Sequence, residues 1–234
     1  VLAGDVDCVV YTATADIRPE EAMTDLLDCL NAGTNVVSTS FYSFLHPASQ
    51  PAELLAPINA ACEKSGASLF VSGIDPGWAM DMLPIALSPA VSNVREYRCR
   101  EIFNYALYDQ PQVVREVIGF GGSMDELPLM LHDFAIEMVW APMLRVVGDA
   151  MGKPVERVDT VVERLPLEKT IEVAGMGTFE EGSQGAFRFE VRGYYQDRPL
   201  YVIEHVTRID DDCGPDWPYP PQGRGCHQTI ISGD

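Results

Sequence analysis

The sequence predicts an α/β fold in which a partial Rossmann-like parallel sheet is followed by an α+β domain with a mixed or antiparallel sheet. Three short apolar runs, at residues 7–12, 34–38 and 68–71, predict strands, and the first is typical of a parallel strand buried on both faces. Two helical patterns separate these runs, and each crossover is long enough for a right-handed parallel connection. From residue 94 onward apolar and charged residues alternate, which is typical of a strand with one wet face and indicates a second domain.

Local signals place the individual elements. The first helix begins at Pro19, with two glutamates in its first turn, and ends before Gly33, while the second spans about residues 52–64. Residues 154–172 give no clear assignment. The patterns of the second domain predict, in order, a strand over 94–108, helices over 110–118 and 130–151 with an interruption or kink at Pro142, an antiparallel meander from 177 with a turn at 196–199, and an edge strand at 227–232.

Composition excludes several classes of partner. The 234 residues carry a formal net charge of −19 at pH 7, which argues against binding to nucleic acid or to an anionic membrane surface. No apolar run approaches the roughly 20 residues that span a bilayer.

The six cysteines include no C-x-x-C pair, so we expect reduced thiols and a cytoplasmic protein. We expect no metal site, because Cys226 and His227 with Cys213 and Asp216 match no zinc spacing.

The stretch of residues 67–84 predicts a strand, a tight turn rich in glycine, and an apolar helical pattern that opens at Trp78. In one interpretation Asp75 is a fixed polar group in the crevice beyond the strand ends, where ligands collect in open α/β sheets. In the other, Asp75 is the N-cap of the helix, Pro76 is its first residue and Gly77 allows close packing. The stretch alone leaves both interpretations open.

The phosphate-binding signature of a dinucleotide fold is missing from the chain. The nearest match to G-x-G-x-x-G begins at Gly175, and Glu180 takes the place of its third glycine. The three strand ends nevertheless carry small hydroxyl residues, as in the nicotinamide-facing half of such a fold. We therefore interpret residues 1–93 as the C-terminal half of a dinucleotide-binding domain and 94–234 as a substrate and dimerisation domain. A first half of roughly 70 to 90 residues would precede Val1, at about 30 per βαβ unit, so we expect a fragment.

Five segments in order along the chain resemble the dihydrodipicolinate reductase-like family, which includes 2,4-diaminopentanoate dehydrogenase and the native amine dehydrogenases. The segments are DCVVYTAT, NVVSTS, GIDPGW, IEHVTR and GPDWP. The resemblance covers nearly the whole chain. The resemblance implies an NAD(P)-dependent oxidoreductase that transfers hydride to or from the carbon of a C=N or C–N bond. It implies a small-molecule imine or amine as the substrate, and we expect the protein to be a homodimer.

The resemblance also implies the residues of the site. Trp78 would form a wall of the substrate pocket, and His205 would lie near that pocket. A cavity between the two predicted domains adds further substrate-binding candidates, although strand alternation does not decide which face of the strand meets the substrate. These additional candidates are Arg100, Asn104 and Tyr108. The residues expected to surround the nicotinamide and its ribose are Thr12, Ala13, Thr14, Ser38, Thr39, Ser40, Asp75, Pro76 and Gly77.

The proton donor of the reaction is unassigned. In amine-forming relatives the loop after the second strand brings a carboxylate near the imine carbon, but here no Asp or Glu follows that strand before Glu53. Tyr42 and His205 are the catalytic candidates, against the alternatives that Tyr42 packs as a hydrophobic lid and that His205 is a satisfied core residue. A non-catalytic dinucleotide-binding or assembly protein of the same fold is therefore the rival interpretation.

Overall fold

A computed structural model describes residues 6–234 of the chain. The chain forms two compact units, of which the first ends at Trp78 and the second runs from Ala79 to Asp234. The division falls before residues 79–93, which the sequence had suggested as part of the first domain. Among the described residues, none of the helices combines the length and apolar character needed to cross a membrane.

The first unit is a three-stranded parallel sheet with two helices, which confirms the predicted β-α-β-α-β order. The strands are β1 (Cys8–Tyr11), β2 (Asn35–Ser38) and β3 (Leu69–Val71), and the helices are α1 (Pro19–Asn31) and α2 (Ala52–Ser65). The strands lie in the order β1-β2-β3, and β1 and β3 both pair with β2 in parallel.

Both helices of the first unit pack on one face of this sheet, as two right-handed crossovers in the same direction require. The core under them includes Leu30 of α1 and Ile58 of α2. On the other face Val10, Val37 and Phe70 are 70%, 37% and 62% exposed. These three residues form one row, because Val10 is opposite Val37 and Val37 is opposite Phe70. The described residues therefore cover only one face of this sheet, although the strands carry apolar side chains on both faces.

The second unit contains a mixed five-stranded sheet and a separate two-stranded hairpin. The strands are β4 (Glu96–Asn104), β5 (Arg157–Pro166), β6 (Ile171–Val173), β7 (Gly177–Phe179), β8 (Gln184–Tyr195), β9 (Arg198–Arg208) and β10 (Gly225–Ser232). The large sheet has the order β10-β4-β9-β8-β5, and the hairpin pairs β6 with β7. Strands β4 and β9 are parallel and the other pairs of the large sheet are antiparallel, which confirms the predicted mixed sheet and places β10 at an edge, as expected.

The helix α4 (Asp133–Ala150) packs on one face of the large sheet, which we call the helix-covered face. Its Trp140 ring lies 4.8 Å from Phe189 of β8 and 4.8 Å from His205 of β9. The helix continues through Pro142, so an interruption there is wrong, whereas the alternative of a kink stays a prediction. The predicted helix over 110–118 is a short segment that includes one π-helical turn, Val113–Val117.

The helix α3 (Met82–Leu87) begins later than the sequence suggested. Its N-cap is Asp81, whose carboxylate accepts a hydrogen bond from the Met82 backbone N–H, so the interpretations that open the helix at Trp78 or cap it with Asp75 are wrong. The helix packs against β10 and α4 of the second unit. This packing explains why residues 79–93 group with the second unit.

Arg208, the last residue of β9, organises the loop that leads to β10. Its guanidinium is buried and donates hydrogen bonds to the carbonyl oxygens of Cys213 at 2.8 Å, Gly214 at 3.0 Å and Pro218 at 3.0 Å. It also lies 4.2 Å from the centre of the Tyr219 ring. A single cation therefore satisfies three main-chain acceptors, two within the GPDWP segment that the sequence singled out and one at the residue before it.

Candidate functional site

The C-terminal ends of β1, β2 and β3 meet along one edge of the first unit. The Thr39 N–H donates to the carbonyl of Tyr11 at 3.2 Å, and the Ser72 N–H donates to the carbonyl of Ser38 at 3.0 Å. These bonds join the first residue after β2 to β1, and the first residue after β3 to β2. The structure thus places the three predicted groups of cofactor-binding residues side by side.

Hydroxyl groups fix the shape of this edge. The Ser38 hydroxyl accepts a hydrogen bond from the Ser40 N–H at 2.9 Å, and the Ser40 hydroxyl donates to the carbonyl of Ala13. Both serines are buried, whereas Thr12, Ala13 and Thr39 are exposed. The serines therefore hold the strand ends together, and the exposed residues form the surface that a ligand can reach.

The third strand end is a compact turn. The Trp78 N–H donates to the carbonyl of Gly73 at 2.9 Å, and the Asp75–Pro76 peptide is cis. Gly77 has φ +135°, and a Cβ atom there would collide with the backbone of Gly73. Only glycine fits this position, because an L side chain would meet both backbone strain and main-chain atoms. The turn leaves Asp75 half-buried and Trp78 50% exposed.

Tyr42 lies in a short 3-10 turn after β2, and its hydroxyl donates to the carboxylate of Asp16 at 3.2 Å. The hydroxyl of Thr14 donates to the same carboxylate oxygen at 3.1 Å. The neighbouring Phe41 and Phe44 rings stack on each other with centroids 5.6 Å apart, and Phe44 is buried. The loop thus combines an apolar part with one phenol that points to a carboxylate beside the end of β1.

The second unit contains a buried carboxylate between two imidazoles. Oε1 of Glu101 lies 3.5 Å from Nδ1 of His205, and its Oε2 lies 3.2 Å from Nε2 of His227. The Tyr105 hydroxyl donates to Oε1 at 3.4 Å. Burial alone would raise the pKa of Glu101, but the charges of and hydrogen bonds from His205 and His227 outweigh it and lower the pKa well below its ordinary value.

Aromatic rings flank His205 on the helix-covered face. The imidazole stacks on Phe189 with centroids 4.6 Å apart and planes 11° apart, and Trp140 meets it edge to face at 4.8 Å. Tyr108 reaches the same region through Tyr105, because their rings lie 5.1 Å apart. Glu101 contacts both His205 and Tyr105, and Tyr105 in turn contacts Tyr108. The sequence patterns did not single out Glu101.

Arg100 and Asn104 lie on the other face of β4 and are not brought together with His205. The Arg100 guanidinium pairs with Glu204 at 2.8 Å, and the Asn104 side-chain amide donates to Asp211 at 2.6 Å. Strand alternation predicted that Arg100 and Asn104 share a side, and the register of β4 with β9 assigns that side to Glu204 and Arg208.

We call this opposite side of the large sheet the charged face. Glu204 is fully buried there and lies within 2.9 Å of three guanidinium groups, those of Arg98, Arg100 and Arg188. Burial raises the pKa of Glu190, but its contacts with arginines of the cluster outweigh burial and lower that pKa. At the margin of the face two apolar side chains are exposed, Val161 and Ile230. The residues of the cluster are Arg98, Arg100, Arg188, Arg192, Glu190 and Glu204.

Comparison with known proteins gives the chain its relatives. No family model matches the sequence. The chain is 42% identical over 234 residues to an amine dehydrogenase from Streptomyces virginiae, matching 100% of this chain and 65% of that protein. It is 24% identical over 166 residues to 2,4-diaminopentanoate dehydrogenase from Acetoanaerobium sticklandii, matching 64% of this chain and 46% of that enzyme.

Among solved structures, an amine dehydrogenase from Mycobacterium smegmatis superimposes with a TM-score of 0.73 at 17% identity, over 97% of this chain and 64% of that one. This likeness shows the shared fold. The chain spans less than two thirds of the length of each of these three relatives. The predicted resemblance is confirmed, and the chain is a homologue of the amine dehydrogenases and of 2,4-diaminopentanoate dehydrogenase.

Proposed function

We propose that the protein is an NAD(P)-dependent oxidoreductase that transfers hydride to or from the carbon of a C=N or C–N bond in a small-molecule imine or amine. The observation behind the proposal is the meeting of three parallel strand ends at one edge, in a chain 42% identical to an amine dehydrogenase. In open α/β sheets ligands bind beyond the C-terminal ends of the strands. This edge is therefore the place for the nicotinamide.

The residues at the edge fit a nicotinamide and its ribose. The exposed Thr12 and Thr39 present hydroxyl groups, Ala13 leaves room for a ring, and the half-buried Asp75 offers a carboxylate. When bound, NAD(P) supplies or accepts the hydride. The protein positions it through the groups assigned from the sequence: Thr12, Ala13 and Thr14, then Ser38, Thr39 and Ser40, then Asp75, Pro76 and Gly77.

Each unit has its own candidates for contact with the substrate. In the first unit the half-exposed indole of Trp78 is a rigid apolar wall, and Tyr42 is a proton donor whose hydroxyl is oriented by Asp16. In the second unit His205 and Tyr108 remain the candidates. Arg100 and Asn104 have their side-chain partners on the charged face, so we propose no contact between them and the substrate.

We further propose a cytoplasmic homodimer. The charged face supports self-association, because it carries both signs of charge and exposes Val161 and Ile230 at its margin. Six free thiols and a net charge of −19 support a reducing compartment without nucleic acid or anionic membrane as a partner. Analytical ultracentrifugation of the full-length protein tests the dimer, and a monomer at micromolar concentration would contradict it.

Deuterium transfer tests the reaction. The full-length protein is incubated with C4-deuterated NADH or NADPH, ammonium and a panel of ketones, or with cyclic imines. The expected product is an amine with one deuterium on the former imine carbon. Cofactor binding without deuterium transfer across the whole panel would favour the rival, a non-catalytic dinucleotide-binding or assembly protein.

A further inference from the structure

We propose that His227, Glu101 and His205 form a proton relay between solvent and the helix-covered face of the second unit. The inference rests on the proposed function, because that reaction consumes protons. Reductive amination converts a carbonyl compound, ammonium, NAD(P)H and one proton into an alkylammonium ion, NAD(P)+ and water. The hydride forms the new C–H bond, and the carbonyl oxygen leaves as water. Each turnover in this direction therefore takes one proton from the medium, and oxidation returns it.

The three side chains form one row across three adjacent strands. His227 of β10 is opposite Glu101 of β4, and Glu101 is opposite His205 of β9. Residues that are opposite each other in neighbouring strands point to the same face, so the contacts follow from the register. The row leads from the edge of the sheet toward its centre.

Exposure falls along this row. The side chain of His227 is 29% exposed, that of Glu101 12% and that of His205 5%. The outer imidazole can therefore exchange protons with water, whereas the inner imidazole is covered by Phe189 and Trp140. The two carboxylate oxygens contact different histidines, Oε2 the outer one and Oε1 the inner one. A proton received on one oxygen can thus leave from the other.

The chemistry of the groups suits a relay. Imidazole is the side chain whose unperturbed titration falls nearest neutrality, and its two ring nitrogens allow a proton to enter at one and leave at the other. Both histidines lower the pKa of the carboxylate between them, so protonated Glu101 is a short-lived carrier that returns its proton to a ring nitrogen. The hydroxyl of Tyr105 donates to Oε1 and holds the carboxylate in place.

Ring-proton exchange tests the relay without any substrate. In 15N-histidine-labelled full-length protein, we expect the ring N–H of His205 to exchange with water quickly enough to be measured by NMR saturation transfer. The variant His227→Gln should slow this exchange at least tenfold. His132→Gln is the matched control, because His132 is a half-buried histidine of the same unit outside the row, and it should leave the rate unchanged. Equal exchange rates in wild type and His227→Gln would overturn the relay.

Turnover provides the second measurement. His227→Ala should lower kcat by about 10-fold to 100-fold and raise the solvent isotope effect, and added imidazole should restore the rate because the vacated position faces water. Glu101→Gln should lower kcat by a similar or larger factor without rescue. A rate in His227→Ala equal to that of wild type would contradict the relay. If wild type shows no hydride transfer, the proposed function fails, whereas the exchange experiment still decides whether the relay exists.

Discussion

Glu101 and His205 lie opposite each other on the parallel strands β4 and β9, with the carboxylate Oε1 3.5 Å from the imidazole Nδ1. Both side chains are buried, so the charge of Glu101 is compensated by imidazoles rather than by water. A buried carboxylate is expensive unless it is paired and hydrogen-bonded, and here His227 and Tyr105 provide further contacts. The pair is therefore expected to affect both stability and proton chemistry.

The lowered pKa of Glu101 predicts how stability depends on pH. A carboxyl group whose pKa is lower in the folded than in the unfolded protein adds stability above its ordinary pKa of 4.5, and this stability is lost as pH falls below that value. We expect Glu101→Gln to lower the free energy of unfolding by about 1–3 kcal/mol at pH 7. The difference from wild type should narrow below pH 4.5, as measured by urea denaturation. The exposed Glu181→Gln should show no such pH-dependent difference.

Replacement of Glu204 on the charged face should cost more stability than replacement of Glu101. Three guanidinium groups lie within 2.9 Å of this fully buried carboxylate, and neutralising it leaves them without their common counter-charge. Breaking a buried ion pair from one side costs about 3–5 kcal/mol, so Glu204→Gln should lower the free energy of unfolding by that amount. Glu163→Gln, an exposed position of the same face on β5, should stay within about 0.5 kcal/mol of wild type. Equal effects of the two substitutions would contradict the role of the cluster.

Gly77 predicts a link between turn geometry and cofactor binding. Gly77→Ala places a Cβ against the backbone of Gly73 at φ +135°, so the turn must move. Backbone strain of this kind costs about 1–3 kcal/mol, and we expect at least tenfold weaker NAD(P)H binding by the full-length protein, measured by fluorescence titration. Gly66→Ala is the control, because Gly66 has φ +79° but open space around its Cβ position. Unchanged affinity in Gly77→Ala would remove this turn from the cofactor site.

Two substitutions of Asp81 distinguish the effect of its helix cap on stability from the effect of its charge. Its carboxylate caps α3, and burial raises its pKa although backbone hydrogen bonds oppose the shift. A raised pKa means that ionised Asp81 is less favourable in the folded than in the unfolded protein. This cost to stability grows as pH rises from the unfolded-state to the folded-state pKa, so removing the charge relieves it at pH 7. Asp81→Asn should therefore be at least as stable as wild type. Asp81→Ala should lose about 1 kcal/mol, because the cap is gone. Thermal unfolding of both variants at pH 7 measures the contrast.

The sequence was sufficient for the first unit because its signals are local. Apolar runs, the proline at the start of α1 and the glycines after α1 and α2 each specify one element, and parallel pairing then brings the strand ends together without further information. The error at Trp78 has a local cause as well. The backbone N–H of Trp78 donates a hydrogen bond to the carbonyl of Gly73, so Trp78 belongs to the turn. The helix begins only after Asp81, whose carboxylate caps it.

The site in the second unit could not be found in this way. Strand alternation puts Glu101 on the same side as Tyr97 and Cys99, and this signal was present in the sequence. The contacts with His205 and His227, however, depend on the register of three strands that are distant in the chain. The same register sends Arg100 to Glu204. Alternation predicted the two sides of β4 but not the strands that flank it.

Arg208 adds a consequence for how this protein tolerates variation. It lies three residues beyond His205, and the loop it holds leads into the strand that carries His227. Its hydrogen bonds end on main-chain oxygens, which every amino acid possesses. Substitutions among the loop side chains therefore leave the acceptors of these three hydrogen bonds in place, whereas loss of the guanidinium would remove all three bonds together.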